Sequence, residues 1–104
     1  LDIRRKDLIV TGGENVNPLE VEKALLNIDG ITDAAVVGVE DAEWGERVQA
    51  FVVSEFQISN FDFRNQLKGK LSVFKIPKDF IQVPSIPRNE LGKIEYTELS
   101  QLQG

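Results

Sequence analysis

A lysine directly follows a glycine in the stretch Pro87-Arg88-Asn89-Glu90-Leu91-Gly92-Lys93-Ile94. The glycine permits a tight turn, so Lys93 can stand on a short loop and extend its ammonium clear of the surface toward an anion. Two settings give that ammonium very different weight. In a closed, water-poor cleft a preorganised cationic donor supplies about 3 kcal/mol toward a developing oxyanion or phosphate charge. On an open surface the same group contributes under about 1 kcal/mol. A phosphate-binding P-loop is excluded, because Pro87 stands in place of the upstream glycine and Ile94 follows the lysine where Ser or Thr is needed.

The composition narrows the remaining chemistry. The chain of 104 residues contains no cysteine and no histidine. Disulfides, thiol nucleophiles, serine triads and histidine-based zinc sites are therefore excluded within it. The lack of cysteine fits a reducing compartment, and a cytoplasmic setting is the expectation. No apolar run approaches the length of a membrane span, and no signal-peptide pattern opens the chain. The first residue is Leu1 and the sequence begins in mid-pattern, so it reads as a piece of a longer polypeptide.

The net charge of −5 argues against nucleic acid as a partner. The charge is unevenly spread. Asp33, Glu40, Asp41, Glu43, Glu46, Glu55 and Asp62 face only Arg47 in the middle of the chain. Arg64, Lys68, Lys70, Lys75, Lys78, Arg88 and Lys93 outnumber Asp79 and Glu90 further on. A basic second half suits a phosphate-bearing ligand; a solvated face of mixed charge would read the same way.

The elements that must position Lys93 follow from local patterns. Leu8-Ile9-Val10-Thr11, Gly12-Gly13 and Glu14-Asn15-Val16 predict two short strands joined by a glycine turn. Asn17-Pro18-Leu19-Glu20 starts a helix, with Asn17 as N-cap, Pro18 at the first helical position and Glu20 placed to close a capping box. Val21, Ala24, Leu25 and Ile28 form its apolar face, and Asp29-Gly30 ends it. The near-continuous apolar run Ala34 to Val39 predicts a buried strand, and Arg47 to Ser54 a second one beyond an acidic turn. Ser59 or Asn60 caps another helix, with Phe63, Leu67 and Leu71 on its face and Gly69 inside it. Pro77 breaks that helix, Phe80-Ile81-Gln82-Val83 supplies a third strand, and Ile94 and Leu99 anchor a short last helix. The order ββ-α-β-β-α-β-α predicts an α+β fold: a small, mainly three-stranded sheet flanked by helices, preceded by an N-terminal β-hairpin, in a single domain over residues 1–104.

Several of these stretches, in this order, resemble the C-terminal domain of the adenylate-forming enzymes. Arg4-Arg5-Lys6-Asp7-Leu8-Ile9 and Gly12 to Glu22 resemble its beginning, while Gly38-Val39-Glu40-Asp41, Trp44-Gly45-Glu46 and Phe74-Lys75-Ile76-Pro77-Lys78 resemble its middle. Pro87-Arg88 with Gly92-Lys93-Ile94 is similar to its lysine-bearing loop. The opening residues look most like acyl-CoA synthetases of the o-succinylbenzoate–CoA ligase kind, which would imply a place in menaquinone synthesis. The pattern departs from the family at Ile3, where a glycine is common, at Asn89-Glu90-Leu91, where small or hydroxylated residues are usual, and at Tyr96, where an arginine often stands.

The resemblance implies a lid that works against its own large N-terminal domain, absent from this chain, in an ATP-dependent acid–thiol ligation. A carboxylic acid attacks the α-phosphate of ATP, with Mg2+ bound mainly by the N-terminal domain, and CoA thiol then displaces AMP. It implies Lys93 as the catalytic cation of adenylation, Arg4 near the nucleotide, Lys6 as the hinge, and Gly12 and Gly13 as the loop presented for thioester formation. Each has a plainer reading. Arg4 and Lys6 can be a solvated basic run, Gly12-Gly13 only a turn, and Lys75 and Lys78 solvated rather than set against CoA phosphates. Trp44 reads as a packing residue. The alternative function is a non-catalytic interaction lobe, or the carrier-protein-docking part of a peptide-synthetase adenylation domain. The isolated chain is expected to be inactive in either case.

Overall fold

The computed structural model describes the backbone of Ile3 and Arg4 and the whole of residues 8–102. The strands are β1 (Ile3–Arg4), β2 (Ile9–Thr11), β3 (Glu14–Val16), β4 (Ile31–Asp41), β5 (Gly45–Ser54) and β6 (Asp79–Gln82). The helices are α1 (Pro18–Leu26), α2 (Asn60–Leu67) and α3 (Tyr96–Gln101), with a 3₁₀ turn at Val73–Lys75. The expected α+β order is present. The hairpin β2–β3 does not stand apart, however. It joins β1, β4 and β5 in one six-stranded sheet of order β1-β4-β5-β2-β3, and β6 pairs with β5 in parallel.

Strand β4 explains its own composition. Ala34 and Val36 face a core shared with Val21, Leu25 and Ile28 of α1 and Phe63 and Leu67 of α2. Ala35, Val37 and Val39 face the other way, against Phe51, Val83, Ile86 and Leu99. A strand buried on both faces loses the polar alternation of a half-exposed one, hence the unbroken apolar run. The second face is covered by residues 83–99, the segment that carries Lys93.

Asn17 caps α1 as the sequence predicts, its side chain accepting from the Leu19 N–H at 2.9 Å. Glu20 does not close a capping box. Its carboxylate pairs with the Lys75 ammonium at 3.0 Å, because the 3₁₀ turn brings that lysine beside the first turn of α1. The helix ends at Leu26 rather than at Asp29. Ser59 is the N-cap of α2. Gly69 is not inside α2; it follows the C-cap Lys68 with φ of 85°, a left-handed position that terminates the helix. Leu71 still reaches the core, from beyond the helix end.

The outer edge of β4 carries one informative charge. The Glu22 carboxylate of α1 accepts the Val36 N–H at 2.9 Å. Burial pushes this carboxyl up from its ordinary value, against the opposing pull of the Val36 N–H and of Arg88. A raised folded pKa means that the folded state holds its proton more tightly than the unfolded chain. Glu22 therefore lowers stability as pH rises from its unfolded value through the folded one, and the loss is complete above. Glu22→Gln keeps an acceptor for Val36 and removes the titration. We expect it to raise stability at pH 7 by under about 1 kcal/mol, with a smaller difference at pH 4. Urea midpoints at the two pH values check this, and a gain equal at both would show that charge is not its cause.

Candidate functional site

The Lys93 loop is a short hairpin of defined type. The Gly92 N–H donates to the Asn89 carbonyl and the Asn89 N–H to the Lys93 carbonyl, each at 2.9 Å. Arg88 and Ile94 form a bridge below, and the Glu95 N–H donates to the Pro87 carbonyl. Gly92 has φ of 82°, so this is a type I turn closed by a glycine bulge. The Asn89 side chain accepts from both the Leu91 and the Lys93 N–H, at 2.9 and 3.0 Å. Asn89 thus knits the turn from within. Lys93 is exposed and, among the described residues, makes no ion pair.

A second anchor comes from outside the loop. Arg88 is bound side-on by Asp33 at the start of β4, with Nη2 to Oδ1 at 2.7 Å and Nε to Oδ2 at 3.2 Å. Its Nη1 donates to the Gly92 carbonyl at 2.9 Å. The hydrogen bond to Asp33 is the main cause holding the Arg88 pKa above its ordinary value.

The Gly12–Gly13 turn lies at the other end of β4. Gly12 N–H donates to the Trp44 carbonyl at 2.9 Å, and Thr11 pairs with Gly45. Gly12 has φ of 56°, and a Cβ built there would meet the Trp44 ring at 2.8 Å. A side chain is therefore excluded both by backbone conformation and by the indole. Trp44 is not buried as a packing residue would be: it is 41% exposed, with its ring against Gly12 and the Lys78 ammonium 4.2 Å from the ring centroid. Asp41 sets the intervening turn by accepting the Trp44 and Glu43 N–H groups, each at 2.9 Å. Those bonds, the one from Trp44 foremost, and Arg47 hold its carboxyl below the usual range, so its stabilising contribution is lost as pH falls through that lowered value.

The sequence predicts Glu46 as the last residue of the acidic turn before Arg47. It is instead a buried residue of β5, its Oε1 accepting the Val10 N–H at 2.9 Å and so tying the glycine hairpin to the main sheet. Gly38 leaves the space for this carboxylate, since a Cβ there would lie 3.1 Å from Oε2. Only the pairing of Trp44-Gly45-Glu46 with the upstream glycine hairpin could have pointed to it.

Arg4 pairs with Gly38 through its backbone, on the outer edge of β4 and nearer the glycine turn than the lysine loop. Lys6 lies outside the described residues. Opposite charges from distant segments meet in space: Arg47 binds Asp79 at 2.7 Å, Arg88 of the basic stretch binds Asp33 of the acidic one, and Lys75 binds Glu20. Among the described residues no three acidic side chains gather as a metal site, and no helix is long and apolar enough to cross a membrane.

The two glycine-bearing loops are thus far apart. From Asp33, which anchors the Lys93 loop, to Asp41, which abuts the Gly12–Gly13 turn, β4 rises about 26 Å at about 3.3 Å per residue. The longest dimension of the molecule is 33 Å.

The family model of the AMP-binding enzyme C-terminal domain matches residues 20–93. The chain is 39% identical over 100 residues to a 2-succinylbenzoate–CoA ligase of Bacillus velezensis, covering 96% of this chain and 20% of the relative. It is 41% identical over 95 residues to the mitochondrial malonate–CoA ligase ACSF3 of Mus musculus, covering 89% of this chain and 16% of that protein. Among solved structures it is similar to the o-succinylbenzoate CoA synthetase of Bacillus subtilis. The form bound with the product analogue OSB-NCoA is 38% identical, with a TM-score of 0.87 over 97% of this chain and 21% of the other. The form in complex with the acyl-adenylate intermediate OSB-AMP is 38% identical, with a TM-score of 0.84 over 92% of this chain and 20% of the other. The chain spans about a fifth of the length of these relatives.

Proposed function

Because the chain belongs to the AMP-binding enzyme C-terminal domain family, we propose that it is the mobile lid of an ATP-dependent acyl-CoA ligase. The lid closes one cleft of a large N-terminal domain with two different loops in turn. In the first step a carboxylate oxygen bonds to the α-phosphorus of ATP and pyrophosphate leaves. Lys93 holds the two like-charged reactants together and counters the charge that builds on the phosphoryl oxygens. In the second step the thiol of CoA bonds to the acyl carbon and AMP leaves, with the Gly12–Gly13 turn now lining the cleft. Arg4 lies near the nucleotide at the domain junction, and Mg2+ is held by residues outside this chain.

The separation of the two loops carries this reading. Their neighbours Asp33 and Asp41 lie about 26 Å apart along β4, so a turn of the lid between the half-reactions would bring first one loop and then the other to the cleft. Gly12 and Gly13 suit passage of a flexible thiol arm because neither offers a side chain, and Lys78 and Lys75 lie on the same side of the domain as Trp44 and β3. The acid is chosen elsewhere. The lid is about equally similar to ligases named for 2-succinylbenzoate and for malonate, so a role in menaquinone synthesis rests on the missing domain. A cytoplasmic setting supplies ATP and CoA.

The test is carboxylate-dependent ATP–pyrophosphate exchange by the full-length enzyme, followed by transfer to free CoA or to a phosphopantetheinyl carrier protein. Absence of any exchange would sink the proposal; faster transfer to the carrier would move the chain to the peptide-synthetase branch. Lys6→Pro probes the hinge, since a fixed φ restricts the turn of the lid. We expect it to slow thioester formation at least tenfold more than adenylation. Equal losses would remove Lys6 from the hinge.

A further inference from the structure

We propose that Arg88, gripped by Asp33, is the positioning residue that aims the Lys93 loop, and that Asp33 thereby controls adenylation without meeting substrate. The proposal rests on the role of Lys93 given above. It starts from what holds the loop in place. Leu91 at the tip is 81% exposed, and Asn89, Glu90, Gly92 and Lys93 are all exposed, so apolar packing holds only the base of the turn, through Ile94, and leaves its tip unanchored. Asn89 fixes the turn's internal shape but not its direction relative to the sheet. Direction comes from Arg88, whose guanidinium holds the Gly92 carbonyl with one nitrogen and Asp33 with two others.

The geometry of Asp33 is itself constrained. Its Oδ1 also accepts the Ala34 N–H at 2.9 Å, and the β4–β5 register shifts between Ile31 and Asp33. Such an irregularity at a strand start re-aims a side chain, here toward the loop. A planar guanidinium held side-on has its remaining donor fixed in direction, which a lysine at the same place could not achieve. The magnitudes separate stability from positioning. The pair is about one-third exposed on both sides, so it contributes little to global stability. A displacement near 1 Å of a reacting group can nevertheless cost a large factor in rate.

The experiment uses the full-length enzyme with Asp33→Asn, Arg88→Lys, Lys93→Ala, and Asp33→Asn combined with Lys93→Ala. We expect Asp33→Asn to lower the adenylation kcat about tenfold with KM for ATP unchanged, and Arg88→Lys, which also loses the donor to Gly92, to lower it at least as far. Transfer from supplied acyl-adenylate should keep its rate, and amide hydrogen exchange in residues 88–95 should quicken. In the Lys93→Ala background Asp33→Asn should add nothing. If Lys93→Ala slows adenylation while Asp33→Asn leaves it intact, the positioning role is wrong although the role of Lys93 stands. An additive double variant, or equal losses in both half-reactions, also overturns it. If Lys93→Ala leaves adenylation at the parent rate, the reading beneath the proposal has failed instead.

Discussion

Lys93→Ala is expected to slow adenylation in the full-length enzyme by about 10²–10³-fold, the cost of removing one preorganised charge donor from a closed site. Transfer from supplied acyl-adenylate should change far less, because in the proposed cycle the opposite end of β4 would face the cleft in that half-reaction. The melting temperature should not move. Lys93 is exposed, its side chain makes no ion pair among the described residues, and its N–H bond to Asn89 survives the substitution. The effect would thus be a loss of rate in a fully folded enzyme. Pyrophosphate exchange and single-turnover transfer measure the two halves separately. Loss in the transfer step alone would assign Lys93 to the wrong half of the cycle.

The second large effect concerns stability. Phe51 has no exposed surface and lies at the centre of the second core layer, with Ala35, Val37, Val83, Ile86 and Leu99. Phe51→Ala is expected to cost about 3–5 kcal/mol, from the lost transfer energy of the ring and the cavity left behind. A domain of this size has only about 5–15 kcal/mol in hand. The cavity also opens beneath the segment that carries Lys93, whose apolar contacts with the sheet are Val83, Ile86, Ile94 and Leu99. Urea unfolding should show the midpoint falling at nearly constant m-value. A loss below about 1 kcal/mol would mean that residues 83–99 are not packed against β5 as described.

Much of this was legible without coordinates, for identifiable reasons. Asn17-Pro18 starts α1 because capping and a preset φ act within a single turn. Gly12-Gly13 makes a hairpin because both residues take positive φ. Ala34 to Val39 reads as a strand buried on both faces because its lack of alternation is a property of the run itself. The Lys93 loop was recognisable from Gly92 and from the order of motifs around it. Gly69 shows where local reading stops: the same residue weakens a helix interior or ends a helix, and its φ of 85° is settled only by how the chain leaves α2.

What the residues by themselves determined is therefore the strands and α-helices from β2 onward, the two-sided burial of β4 and the identity of the outstanding cation, since each depends on neighbours within a few positions along the chain; β1 and the 3₁₀ turn were not among them. The tertiary structure alone decided which distant groups meet. Arg88 finds Asp33 across 55 positions, Glu46 turns inward to hold Val10, and the β-hairpin becomes part of the main sheet. It also set the lysine loop and the glycine turn at opposite ends of one strand. Those outcomes depend on strand order and register, which thread hydrogen bonds between remote segments and leave no periodic trace in the sequence of either.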